Sequence, residues 1–181
     1  MKYAILVIKL LIVSYCTYLL IFLATGYEPA TPGFRPPFSI FIIDTMNLFI
    51  HEAGHFLLRP FGMFVHILGG SLVQCLLPLA LVIVMLRQNI SHVVYPGFWL
   101  GENLVNVSVY IQDAPFRKLR LIAQGLIHDW NWLLSGNLEL ASPLATTVSI
   151  LGLVVCGASL FAGIIFAIKD FKAFRLDYTQ D

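Results

Sequence analysis

Apolar residues run in long blocks separated by short polar or proline-rich stretches, a pattern that predicts helices of membrane-crossing length. Residues 3–25 form the first block, long enough for the roughly 20 residues that a bilayer crossing takes. The block exceeds the roughly 7–15 residues of a signal-peptide apolar core, so a retained helix is expected rather than a cleaved leader. Lys9 lies inside it, with a stem long enough to carry its charge toward the interface. Residues 26–39 hold Pro29, Pro32, Pro36 and Pro37 and read as a loop outside the hydrocarbon. Further spans are predicted at 39–58, 63–86, 92–111 and 143–168. Pro78 is a kink site in the third, and Ser142-Pro143 is an N-cap followed by proline at the first helical position of the last. Residues 112–142 read as a loop with short helical pieces. The expected fold is all-α, a single polytopic membrane domain with about five transmembrane helices.

Two blocks carry polar residues, and helical periodicity gathers them. At 100° per residue, Asp44, Asn47, His51 and His55 fall in one stripe of the second span, with Glu52 on its shoulder. In the fourth span Trp99, Glu102, Asn103, Asn106, Tyr110 and Asp113 share one side, and Leu100, Leu104, Val107 and Ile111 occupy the other, expected to face lipid. Polar groups are costly in a bilayer and face the protein interior, so the two polar faces are expected to meet.

Composition supports a membrane location. The chain is 59% hydrophobic and 12% charged, with mean hydropathy +0.84, whereas a soluble domain carries about 25% charged residues. A net charge of +1 gives no electrostatic case for nucleic acid. Cys16, Cys75 and Cys156 lie far apart within apolar runs and read as packing residues. Orientation is not legible. Lys2, Arg59, Arg117, Lys118 and Arg120 fall on the N-terminal side, and Arg35, Arg87, Lys169, Lys172 and Arg175 on the other, five against five.

The chemistry centres on His51-Glu52-Ala53-Gly54-His55, an H-E-x-x-H pattern. Positions i and i+4 share a helical face, so His51 and His55 can present two imidazoles to one Zn²⁺, with Glu52 beside them as general base. Bound zinc lowers the pKa of its water to about 7, where a carboxylate is a competent base. Asn47, one turn before His51, is placed to orient its second nitrogen. A catalytic zinc takes three protein ligands and leaves one position open. The candidates for the third are the His128-Asp129 pair, without a choice of atom between them, and then Asp113. If all five spans cross, the end of the second span, Asp113 and the 128–129 loop return to the same side, so the ligand requirement itself favours five. Trp130 and Trp132, next to the pair, fit either a purposeful site or an interfacial belt. Gly69-Gly70 permit close backbone approach.

These residues resemble the site-2 protease family of membrane-embedded zinc metallopeptidases, in particular its small bacterial-type relatives. The resemblance covers about residues 39–135. It rests on His51-Glu52-Ala53-Gly54-His55, on Gly69-Gly70, and on Asn106 with Asp113 downstream. The family takes its third ligand from an Asp in an LDG-type motif on a later helix. Asp113 departs from that motif, being followed by Ala114 and not preceded by Leu, and the prolines expected between Asn and Asp are absent. His128-Asp129-Trp130 looks like what the small relatives carry in its place. The resemblance implies hydrolysis of peptide bonds in membrane-protein substrates, with one Zn²⁺ on His51, His55 and His128 or Asp129. Asn103 and Asn106 would then offer amides to an unwound substrate backbone. The alternative is a non-catalytic scaffold or metal-handling protein with a structural zinc, which a fourth protein ligand would favour. A transporter finds little support, since no internal repeat is visible.

Overall fold

The structure is a computed structural model that describes residues 2–119 and 127–177. Arg120 of the basic cluster lies outside them. The described residues form α1 (Lys2–Thr25), α2 (Phe38–Leu58), α3 (Met63–Gln88), α4 (Val94–Asp113), a short α5 (Asp129–Leu133) and α6 (Ala141–Asp177), with no strand among them. The breaks follow local chemistry. Pro60 ends α2 in a short 3₁₀ turn, and Gly62, at φ 93°, reverses the chain into α3. Pro78 lies inside α3 without ending it. Ser142-Pro143 does not start the last helix. A 3₁₀ turn at Leu138–Leu140 leads directly into Ala141, and the helix continues to Asp177, beyond the apolar block.

The most extensive helix pairings are α4 with α6, α2 with α3, α1 with α6 and α3 with α4. α2 also meets α1 through Tyr15 and Ser39 and α4 through Asn47 and Glu102, and α5 is tucked against α3 and α4. α1 belongs to the packed body: its Leu19 and Leu23 share a buried cluster with Ile40, Phe98, Val105 and Leu160. At the far end Lys9 pairs with Asp170 of α6. α4 and α6 approach very closely because small residues face each other. A Cβ on Gly101 would lie 2.6 Å from the carbonyl oxygen of Gly152. Cys156 packs in the same seam, and all three cysteines are free.

Enclosure of α4 overturns one expectation. Val107 and Ile111 are 5% and 1% exposed, so that side of α4 does not face outward. It is covered by α5 and α6, where Trp130 and Ala145 pack against both residues.

Three described helices are long and apolar enough to cross a membrane: Tyr3–Thr25, Met63–Gln88 and Leu138–Lys172. α2 and α4 fall outside that group because Asp44, Asn47, His51, Glu52 and His55, and then Glu102, Asn103 and Asn106, dilute their hydropathy. Their polar groups nevertheless point inward. On α2, Phe38, Phe49 and Phe56 are at least 70% exposed, whereas Asn47 and His51 are buried.

Candidate metal centre

The H-E-x-x-H turn of α2 sets the two imidazoles one above the other, with ring centroids 4.7 Å apart. Both present Nε2 to one oxygen of Asp129. His51 Nε2 lies 2.8 Å and His55 Nε2 3.1 Å from Asp129 Oδ2. Among the described residues these three form a group whose donor atoms all lie within 4.8 Å of one another. Asp129 is the first residue of α5, and its neighbours hold it in place. The Trp130 indole donates to Ser71 Oγ of α3 at 3.1 Å. Asn131 Nδ2 donates to the Ala114 carbonyl at the end of α4 at 2.9 Å.

Glycines let α3 come close enough to complete the site. Gly54, inside the motif, lies backbone to backbone against Gly69. A Cβ on Gly69 would fall 2.8 Å from the Gly54 carbonyl oxygen. Gly70 lies against the His51 ring, where a Cβ would overlap Nε2, Cδ2 and Cε1.

The second nitrogens decide what the first ones can do. His55 Nδ1 faces the His66 carbonyl oxygen at 2.8 Å, which only accepts, so Nδ1 carries the hydrogen. His51 Nδ1 faces Gln74 Oε1 at 3.1 Å, and the Gln74 amide is oriented by donating Nε2–H to Asn106 Oδ1 at 2.9 Å. With its hydrogen on Nδ1, each ring in the neutral form turns an Nε2 lone pair toward a carboxylate oxygen. Three electron-rich atoms repel unless a cation lies among them. Two imidazole nitrogens and a carboxylate oxygen are a normal zinc donor set, and the 2.8 and 3.1 Å edges compare with about 3.3 Å between ligands on tetrahedral bonds of roughly 2.0 Å. The residues fit a zinc ion.

The other expected site residues are distributed as follows. His128 immediately precedes α5 and stands outside the three-residue group. Asp113 is not available as a ligand, because its two carboxylate oxygens accept from the Lys118 and Leu119 backbone N–H groups at 2.9 Å and close the turn after α4. Asn47 does not reach His51. It donates to Glu102 Oε2 at 2.8 Å and accepts from the Trp99 indole at 2.9 Å. Asn103 is fully buried and donates to the Trp99 carbonyl, so its amide is closed to a substrate backbone. Asn106 donates to Tyr27 Oη at 2.7 Å and to Asp44 Oδ1 at 3.0 Å. Glu52 is half-buried.

Gln74, Tyr110 and His66 were not singled out as site residues by sequence reasoning. Gln74 carries one available signal: it is a lone amide in an apolar run, one turn after Gly70-Ser71. Tyr110 stacks on His51, with centroids 5.9 Å apart and planes at 22°. His66 Nδ1 faces the His55 carbonyl at 2.8 Å and returns the bond that its own carbonyl accepts. Beside this layer opens a cleft of about 630 Å³ between the proline-rich loop, α2 and α4, with Tyr27, Asp44, Asn106 and Tyr110 in its lining and Lys118 at one side.

Comparison with family models, curated proteins and solved structures finds no match for this chain.

Proposed function

We propose that the chain is a membrane-embedded zinc metallopeptidase of the site-2 protease type, with α1, α2, α3, α4 and α6 all crossing the bilayer. The observation that carries this reading is the convergence of His51 Nε2, His55 Nε2 and Asp129 Oδ2 beside Glu52. Support for five spans comes from the inverted pattern of α2, which is apolar where exposed and polar where buried. Such a helix is costly in water and well solvated in lipid.

His51, His55 and Asp129 would hold the ion. Bound there, zinc supplies Lewis-acid activation of a water and of the substrate carbonyl. Glu52 accepts the proton as the water's oxygen bonds to the carbonyl carbon, and delivers it to the amide nitrogen as the C–N bond breaks. Among the described residues no fourth His, Cys, Asp or Glu joins the three ligands, which leaves a position open and favours a catalytic over a structural zinc. A transmembrane substrate must unwind locally before its carbonyls are free.

The experiment is cleavage of transmembrane peptides by the purified protein and by Glu52→Gln, with zinc content measured on both. The glutamine variant should keep its zinc and lose cleavage by about 10²–10⁴-fold, the usual worth of a general base. Full cleavage by Glu52→Gln would overturn the mechanism. About one zinc per chain without any peptidase activity would favour the scaffold reading instead.

A further inference from the structure

We propose that Asp44 is a positioning residue for the metal centre, the last acceptor of a one-way hydrogen-bond chain that begins at His51 and runs through Gln74 and Asn106. This inference rests on the metal reading above and adds a role for a half-buried carboxyl that the peptidase mechanism does not use.

Each link of the chain fixes the next. Metal ligation through Nε2 requires the His51 hydrogen on Nδ1, so the Gln74 group facing it at 3.1 Å is the oxygen. Gln74 then has only N–H to offer Asn106, whose oxygen accepts it at 2.9 Å. Asn106 in turn has only N–H to offer Asp44, whose Oδ1 accepts it at 3.0 Å. Amides have one donor end and one acceptor end, so the polarity cannot change at one link without reversing at all of them. Asp44 Oδ1 also accepts from Tyr27 Oη at 2.8 Å.

The reversed chain is the informative alternative. It would place Gln74 N–H against His51 Nδ1 and put the hydrogen on Nε2, where it would donate to Asp129 and leave no lone pair for an ion. The last acceptor therefore selects the tautomer. Asp44 Oδ1 receives both the Tyr27 hydroxyl and the Asn106 amide, so it is the acceptor that holds the orientation in which His51 exposes Nε2. A carboxylate bonded directly to a ligating histidine does this in many zinc sites. Here two amides carry the same instruction across from α3 and α4.

The test uses the full chain in detergent, with Zn²⁺ affinity read by competition against a chromophoric chelator and the ligand field read from the Co²⁺ visible spectrum. Asp44→Leu removes the acceptor and should weaken Zn²⁺ by about 10–100-fold and alter the Co²⁺ bands. Gln74→Glu supplies the decisive background. A carboxylate at 74 accepts from His51 directly and has no need of Asn106 or Asp44. In that background Asp44→Leu should change affinity by less than about twofold, whereas independent effects would add. Asn106→Leu breaks the chain at its middle and should behave like Asp44→Leu in both backgrounds, so it serves if Asp44→Leu does not fold. Unchanged affinity in Asp44→Leu, or an equal loss in both backgrounds, overturns the proposal and leaves the metal centre standing. No zinc in the wild type overturns both.

Discussion

Gly70 of α3 lies flat against the imidazole of His51 on α2, and a Cβ there would occupy the space of the ring itself. Tyr110 stacks on the same ring, with centroids 5.9 Å apart. Gly70→Ala should therefore turn His51 out of position and abolish zinc binding, at a packing cost of about 1–3 kcal/mol. Zinc content of the purified variant, beside its thermal midpoint, checks this. A Gly70→Ala protein with one tightly held zinc would show that the ring lies elsewhere.

Ligand identity divides the two neighbours at positions 128 and 129. Asp129 shares its Oδ2 with both histidines, and His128 stands apart. His55→Ala and Asp129→Ala should each lose the zinc, and His128→Ala should keep it at near wild-type affinity. Metal analysis after gel filtration separates the outcomes. Zinc lost in His128→Ala and kept in Asp129→Ala would reverse the assignment.

Trp130 is the anchor that delivers Asp129. Its indole bonds Ser71, and its ring packs with Val107, Ile111 and Ala145. Trp130→Phe keeps most of the packing and should lose about 1 kcal/mol with the hydrogen bond. Trp130→Ala should release α5 and weaken zinc by about 10-fold or more, as loss of a supporting residue does. If Trp130→Ala bound zinc as tightly as the wild type, Asp129 would be positioned by something else.

Glu102 is fully buried and accepts from Asn47. A glutamine there can still accept from Asn47 through its oxygen. Glu102→Gln should consequently be close to neutral. Glu102→Leu strands the Asn47 amide and should cost about 1–3 kcal/mol. Unfolding midpoints in one detergent, measured side by side, decide it.

The local features of this protein were legible in the chain because they depend on neighbours in sequence. The apolar blocks predicted helices near where α1 to α4 and α6 lie, since helices in apolar surroundings satisfy their own backbone. The i, i+4 spacing put His51 and His55 on one face for the same reason. The inward turn of Asp44, Asn47 and His51 followed from helical periodicity. Relations between segments far apart were decided only by the tertiary structure. Sequence spacing could not choose between His128 and Asp129, because the choice depends on how Trp130 and Asn131 seat α5 on α3 and α4. It assigned the His51 Nδ1 contact to Asn47, one turn away on the same helix. The partner is Gln74 of α3, which the close approach of Gly54, Gly69 and Gly70 brings within reach. It left Asp113 open as a ligand, although the carboxylate is consumed by the two N–H groups of the turn that follows. It sent Val107 and Ile111 outward, whereas α5 and α6 cover them. Periodicity fixes which residues share a face. Which face meets which is settled by packing, where a missing Cβ or a single bond across helices outweighs any local preference.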